Sequence, residues 1–227
     1  MKITYYGHAA FLVETEKHSL IIDPFISQNP TCPVQVEDIQ VDYVLVTHGH
    51  SDHLGDSIGI AKANDATVIS VFEIACWLEK KGVKVHGQHI GGGFQHPFGY
   101  LKLTLALHGS ALPDGSYGGN PCGFLLTTNG GKRAYFAGDT GLFGDMALIG
   151  EEEIDVAVLP LGDNYTMGPS DALRAVKLLK AKYVIPMHYD TFDLIKQDIQ
   201  QWKQQVEKET STQVKVLQPC ESLDLNE

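Results

Sequence analysis

The chain has 227 residues, 43% of them hydrophobic and 20% charged, a globular balance that excludes a disordered polymer. Its net charge is −11, with 28 acidic against 17 basic residues, and Arg133 and Arg174 are the arginines. Without a cluster of cations to displace counterions, the sequence disfavours nucleic acid as a partner.

Further classes fall away on inspection of the ends and the cysteines. The N-terminal residues 1–8 lack the apolar core of a signal peptide, and no run approaches the length of a membrane span. Cys32, Cys76, Cys122 and Cys220 lie far apart and form no CxxC pair, which suits a reducing cytoplasm. The length fits a single domain over residues 1–227.

In chain order, β-branched or apolar runs predict strands over residues 2–6, 10–14, 19–23, 43–47, 67–71, 84–86, 101–107, 123–127, 134–137, 156–159, 183–187 and 214–217. Helical patterns fall over 57–63, 73–80, 170–179 with Ser170 as its cap, and 195–208. Strands dominate the first half and strand–helix alternation the second. This fits two packed sheets with helices outside, a four-layer αββα sandwich, or a mixed α/β sheet. Gly91-Gly92-Gly93 and Gly118-Gly119 read as loops, since no strand–GxGxxG–helix arrangement surrounds them.

The segment that carries chemistry is His48-Gly49-His50-Ser51-Asp52-His53, directly after the apolar run 43–47. Side chains two apart on an extended chain face the same way, so His48 and His50 can converge on one ion. A turn toward the next helix lets Asp52 and His53 face a second ion. Four ligands do not fill two sites, and three more stand at strand ends: His108, Asp139 and His188. His108 is preferred over His89 and His96 because it follows a seven-residue strand pattern. Imidazole and carboxylate suit zinc first, and also manganese, iron or nickel.

This arrangement resembles the HxHxDH motif of the metallo-β-lactamase superfamily, and the likeness covers nearly the whole chain. It implies two mixed β-sheets flanked by helices. It implies that His48, His50 and His108 hold one metal, that Asp52, His53 and His188 hold the other, and that Asp139 bridges. Asp23 matches an acidic residue that orients a ligand histidine. The stretches Gly7-His8-Ala9-Ala10-Phe11 and 160–169 look like a compact subfamily of metal-dependent hydrolases, similar to ascorbate-phosphate lactonases.

The chemistry expected is attack by a water whose pKa two divalent ions have lowered. No GxSxG and no Cys–His pairing offers another nucleophile. Asp52, Asp139 and His8 are the candidate catalytic residues, His8 being either active on the leaving group or structural. Asp163 is expected behind the ligands, and Asn164 and Tyr165 against a small-molecule substrate, although a turn suits them equally. Loops 25–40, 88–97, 109–121 and 163–169 are expected to hold that substrate. The leading function is hydrolysis of a small ester, lactone or phosphorylated metabolite. A phosphodiesterase acting on nucleotides or nucleic acid is the alternative, and a non-catalytic metal-binding or sensing protein the second. A homo-oligomer stays open.

Overall fold

The structure is a computed structural model describing residues 1–226. One sheet collects β1 (Lys2–Gly7), β2 (Ala10–Glu14), β3 (Ser19–Ile22), β4 (Tyr43–Leu45), β5 (Thr67–Val71), β6 (Lys84–Gln88) and the late β14 (Ser222–Asp224), in the order β14-β1-β2-β3-β4-β5-β6. The other collects β7 (Gly93–His96), β8 (Gly99–Leu105), β9 (Cys122–Thr128), β10 (Arg133–Phe136), β11 (Val156–Pro160), β12 (Tyr183–Met187) and β13 (Gln213–Val214), in the order β13-β12-β11-β10-β9-β8-β7. Both are mixed. Pairing is antiparallel from β14 to β3 and from β7 to β10, and parallel from β3 to β6 and from β10 to β13. Helices α1 (Ser51–Leu54), α2 (Ser57–Asn64), α3 (Phe72–Glu79), α4 (Met146–Gly150), α5 (Pro169–Leu179) and α6 (Ile199–Glu209) flank the sheets. This is the four-layer αββα sandwich expected.

Alternation along the second sheet explains the layering. Phe124 and Leu126, Ala134 and Phe136, and Val156 and Val158 join the cluster shared with the first sheet. Their neighbours Leu125, Tyr135, Ala157 and Leu159 join a second cluster under α5 and α6. A strand buried on both faces must be apolar at every position, and β11 is buried throughout. On α5 the buried Ala172, Leu173, Ala175, Val176 and Leu179 follow helical spacing and form one face.

The sheets are tied together at the end where the parallel strands finish. Cys122 N–H donates to Thr47 O at 3.0 Å, and His188 N–H donates to His8 O at 2.8 Å. Gly138 permits the closest approach. It sits at φ 62°, and a Cβ there would lie 2.8 Å from Cys122 O and 3.0 Å from Thr47 Cβ.

Several elements depart from the sequence pattern. The last helix begins at Ile199, because Asp198 accepts from Gln201 N–H and caps it, while Asp193–Ile195 is a separate 3-10 turn. Gly168, not Ser170, caps α5, with Pro169 at its first position. Gly93 opens β7 instead of closing a loop, and the last strand of the second sheet pairs only over Gln213–Val214. Strands β7 and β14 and helices α1 and α4 were not expected. No helix among the described residues is long and apolar enough to cross a membrane.

Candidate metal centre

β3, β4, β10 and β12 all end on one rim, and the chain turns there into the cluster. His50 is the N-cap residue of α1, which presents Asp52 and His53. His48 Nε2 lies 3.0 Å from His50 Nδ1, and His108 Nε2 lies 3.3 Å from the same atom. Asp139 faces the remaining histidines. Its Oδ1 is 3.3 Å from His53 Nε2, and its Oδ2 is 3.0 Å from His188 Nε2 and 3.5 Å from His108 Nε2. Asp52 Oδ2 stands 3.6 Å from His188 Nε2. The register between His108 and Asp139 is set by Thr140, whose hydroxyl accepts from Leu107 N–H at 2.9 Å. All seven ligand candidates therefore meet, whereas His89 and His96 lie elsewhere: His89 packs on Phe72, and His96 stacks on Phe98.

The atoms that meet are electron-pair donors. Three sets of potential ligand atoms fall within 4.8 Å of one another: His48, His50 and His108; His48, His53 and Asp139; and His8, Asp52, His53 and His188. His53 Nε2, His188 Nε2 and Asp139 Oδ1 are buried without a hydrogen-bond partner. Leaving such an atom unsatisfied costs about 1–3 kcal/mol, more if charged. Divalent cations seated in these sets would satisfy all three, so the donor set fits metal.

Behind the donors, one carboxylate governs two imidazoles. Asp23 Oδ2 lies 2.7 Å from His53 Nδ1 and accepts from the Thr47 hydroxyl at 2.7 Å, while Oδ1 accepts from Thr47 N–H at 2.8 Å. The Thr47 hydroxyl also lies 3.0 Å from His48 Nδ1. Its single proton goes to Asp23, so it accepts the proton of His48 Nδ1. Both histidines are thereby held with Nδ1 protonated and Nε2 turned to the cluster.

His8 is fully buried, with Nε2 3.1 Å from Asp52 Oδ2 and Nδ1 2.9 Å from Thr191 Oγ1. A neutral ring satisfies both contacts if Nε2–H donates to Asp52 and Nδ1 accepts from Thr191. His8, Asp23 and His188 adopt φ of 57°, 46° and 56°. The left-handed conformation costs a non-glycine residue about 1–2 kcal/mol. Its recurrence at three positions of one cluster marks a functional site.

Asp163 and Asn164 do not join. Both are exposed and have positive φ, in a turn closed by Asp163 N–H on Met167 O at 3.1 Å. The Asp163 carboxylate lies beside Gly168, and among the described residues no hydrogen bond joins it to a ligand candidate. Tyr165 extends from the same turn, is 54% exposed, and lines the hollow with His50, Asp52, His108, Asp139 and His188.

Residues 18–189 match the family model of the beta-lactamase superfamily domain. Over 99% of its length the chain is 53% identical to a UPF0173 metal-dependent hydrolase of Desulforamulus reducens, covering 100% of that protein. The chain belongs to the beta-lactamase superfamily, among the UPF0173 metal-dependent hydrolases. A metallo hydrolase from the archaeon Ignicoccus hospitalis has a TM-score of 0.90 at 39% identity, over 98% of this chain and 97% of that one. An isothiocyanate hydrolase from Delia radicum gut bacteria, at 22% identity and TM-score 0.78 over 99% of both chains, shares the fold alone. None of these relatives bears a lactonase name, so the ascorbate-phosphate likeness gains no support.

The superfamily donor set is electrostatically strained. Burial opposes charge on Asp139, but the His188 and His53 imidazoles outweigh it and hold the carboxyl well below the usual range. Burial likewise opposes the protons of His53 and His188, yet their carboxylate partners win, raising His53 well above its ordinary value and His188 to about 9. Burial, aided by the neighbouring imidazoles, pushes His48 well down and His8 to about 4. The carboxylates thus favour positive charge beside them, at His53 and His188 as the residues stand.

Thr47 and Thr191 escaped the sequence reading. Each ends an ordinary β-branched or polar stretch, and the only local signal was Thr47 standing directly before His48.

Proposed function

We propose that the chain holds two divalent cations side by side, zinc first among them, and hydrolyses a small ester, lactone or phosphorylated metabolite. The carrying observation is the set of buried, partnerless donor atoms on His53, His188 and Asp139. His48, His50 and His108 would hold one ion. Asp52, His53 and His188 would hold the other, with Asp139 between them. Two ions so held supply Lewis acidity and bring a water's pKa down toward neutrality.

The chain's own residues do the rest. Asp23 fixes the proton positions of His48 and His53, and His8 holds Asp52 in place. Tyr165 meets the substrate at the mouth. The nucleophile comes from solvent, because burial raises the Cys122 thiol well above its ordinary value and keeps it from ionising. Four free cysteines also suit a cytoplasmic protein.

Metal analysis tests this reading. The zinc-loaded chain should carry two ions, and Asp139→Asn and His50→Ala should each lose metal with the fold retained by circular dichroism. Unchanged metal content in either variant would overturn the ligand assignment. A loaded protein inert toward aryl esters, lactones and a chromogenic phosphodiester would overturn the hydrolase.

A further inference from the structure

The ligand set leaves part of the surrounding surface unexplained. The hollow at the metal centre has a volume of about 230 Å³. A larger hollow of about 540 Å³ shares Asp52, Tyr165 and His188 with it and adds Gln28 and Ser51, and Phe25, Phe192, Leu194 and Ile195 as an apolar wall. Phe192 is 46% and Leu194 68% exposed, so large apolar side chains are held in water beside the reactive cluster. Two phenylalanines of the wall are held in place. Phe25 and Phe192 each set an edge against the His8 ring, at 5.6 and 5.7 Å between centroids.

Charge is as informative as apolarity. Among the described residues, no Lys or Arg lines either hollow. Lys196, next along the chain, lines a separate hollow with Asp190, Gln197 and Asp198, and its Nζ is 2.7 Å from Asp193 Oδ1. A phosphate or carboxylate carried away from the reacting bond would find no cation to meet it.

We infer that this wall receives an uncharged, apolar arm of the substrate, so that the substrate is an alkyl or aryl ester or lactone and not a phosphorylated metabolite. The inference rests on the hydrolase reading above. In the reaction, water's oxygen bonds to the acyl carbon, the acyl C–O bond breaks, and the departing oxygen takes up a proton. An ester gives a carboxylic acid and an alcohol or phenol, and a lactone opens to a single hydroxy acid. The apolar arm stays against Phe192 and Leu194 while this occurs, leaving water as each methylene is covered.

Alkyl hydroxamates, whose head groups bind zinc, test the wall without requiring turnover. Calorimetry on zinc-loaded protein should show affinity rising about two- to fourfold per methylene from acetohydroxamate to hexanohydroxamate. A hydroxamate of the same length ending in a carboxylate should lose that gain. Leu194→Lys, a change at an exposed position, should shrink the hexano-to-aceto ratio and raise the ratio of carboxylate-tailed to alkyl-tailed affinity. Affinity independent of chain length, or an unchanged pair of ratios in Leu194→Lys, would overturn the wall while leaving the metal reading intact. Failure of acetohydroxamate itself to bind the zinc-loaded protein would overturn the metal reading, and this one with it.

Discussion

Removing the Thr47 hydroxyl is the sharpest probe of the metal centre. Thr47 is 1% exposed, and its Oγ1 sits 2.7 Å from Asp23 Oδ2 and 3.0 Å from His48 Nδ1. In Thr47→Val, Asp23 keeps the backbone N–H of residue 47 and the His53 ring, but the His48 Nδ1 proton loses its acceptor. The ring must then bury an unsatisfied N–H or move its proton to Nε2, the atom that faces the cluster. Stranding a buried donor costs about 1–3 kcal/mol. The loss of such an outer partner weakens metal binding by about 10- to 100-fold, or roughly 1.4–2.7 kcal/mol. The two estimates agree, so zinc affinity should fall by about that factor. Competition against a chromogenic chelator measures it, and Thr47→Ser, which keeps the hydroxyl, should restore most of it. A folded Thr47→Val protein that binds zinc within about threefold of the parent would refute the relay from Asp23 to His48.

Two further perturbations read other parts of the molecule. His8→Asn, chosen because asparagine tolerates the left-handed backbone at φ 57°, should retain the ion at His48, His50 and His108 but loosen the one at Asp52. Metal titration should resolve one strong and one weakened site, and two unweakened sites would show that His8 does not position Asp52. His96 reports on acid stability. It is 5% exposed, its Nε2 lies 3.1 Å from Gln88 Oε1, and burial, aided by His86, lowers its pKa to about 4. The unfolded chain takes up that proton near the ordinary value of 6.5, so the contribution of neutral His96 is full above that pH and is lost as pH falls toward about 4. Urea unfolding across this window should show a shallower pH dependence in His96→Gln, and identical slopes would contradict the assignment.

The cluster of candidate metal ligands was legible because its signal is local and chemical. HxHxDH after an apolar run leaves little else to do for three histidines and an aspartate, and His108, Asp139 and His188 each follow a strand. Among the supporting residues, Asp23 was named through the resemblance and His8 with its role left open, but Thr47, Thr191 and the contact from His8 to Asp52 were not legible, because their meaning arises from contacts between distant parts of the chain. His8 reaches Asp52 across 44 positions, and Thr191 reaches His8 across 183. Substrate-facing loops were half anticipated. Phe25 and Tyr165 lie in loops named from the sequence, but residues 88–97 run from the end of β6 through β7 and line neither hollow. The wall comes from residues 192–195, which the sequence left unassigned up to the helix expected from residue 195; His188 and Asp190 adopt left-handed φ just before it. Strand β14 stayed hidden because Ser222–Asp224 is short and polar, and only its pairing with β1 makes it a strand.

The first sheet and the helix following β4 carry His48, His50, Asp52 and His53, and the ends of the second sheet's strands carry His108, Asp139 and His188. Each proposed ion site draws ligands from both halves of the sandwich. An ion held by both would therefore rivet one half to the other and draw its binding energy from the assembled form only. By mass action the melting temperature should climb with free zinc, and a chelator should loosen the seam between the halves before it disturbs either one.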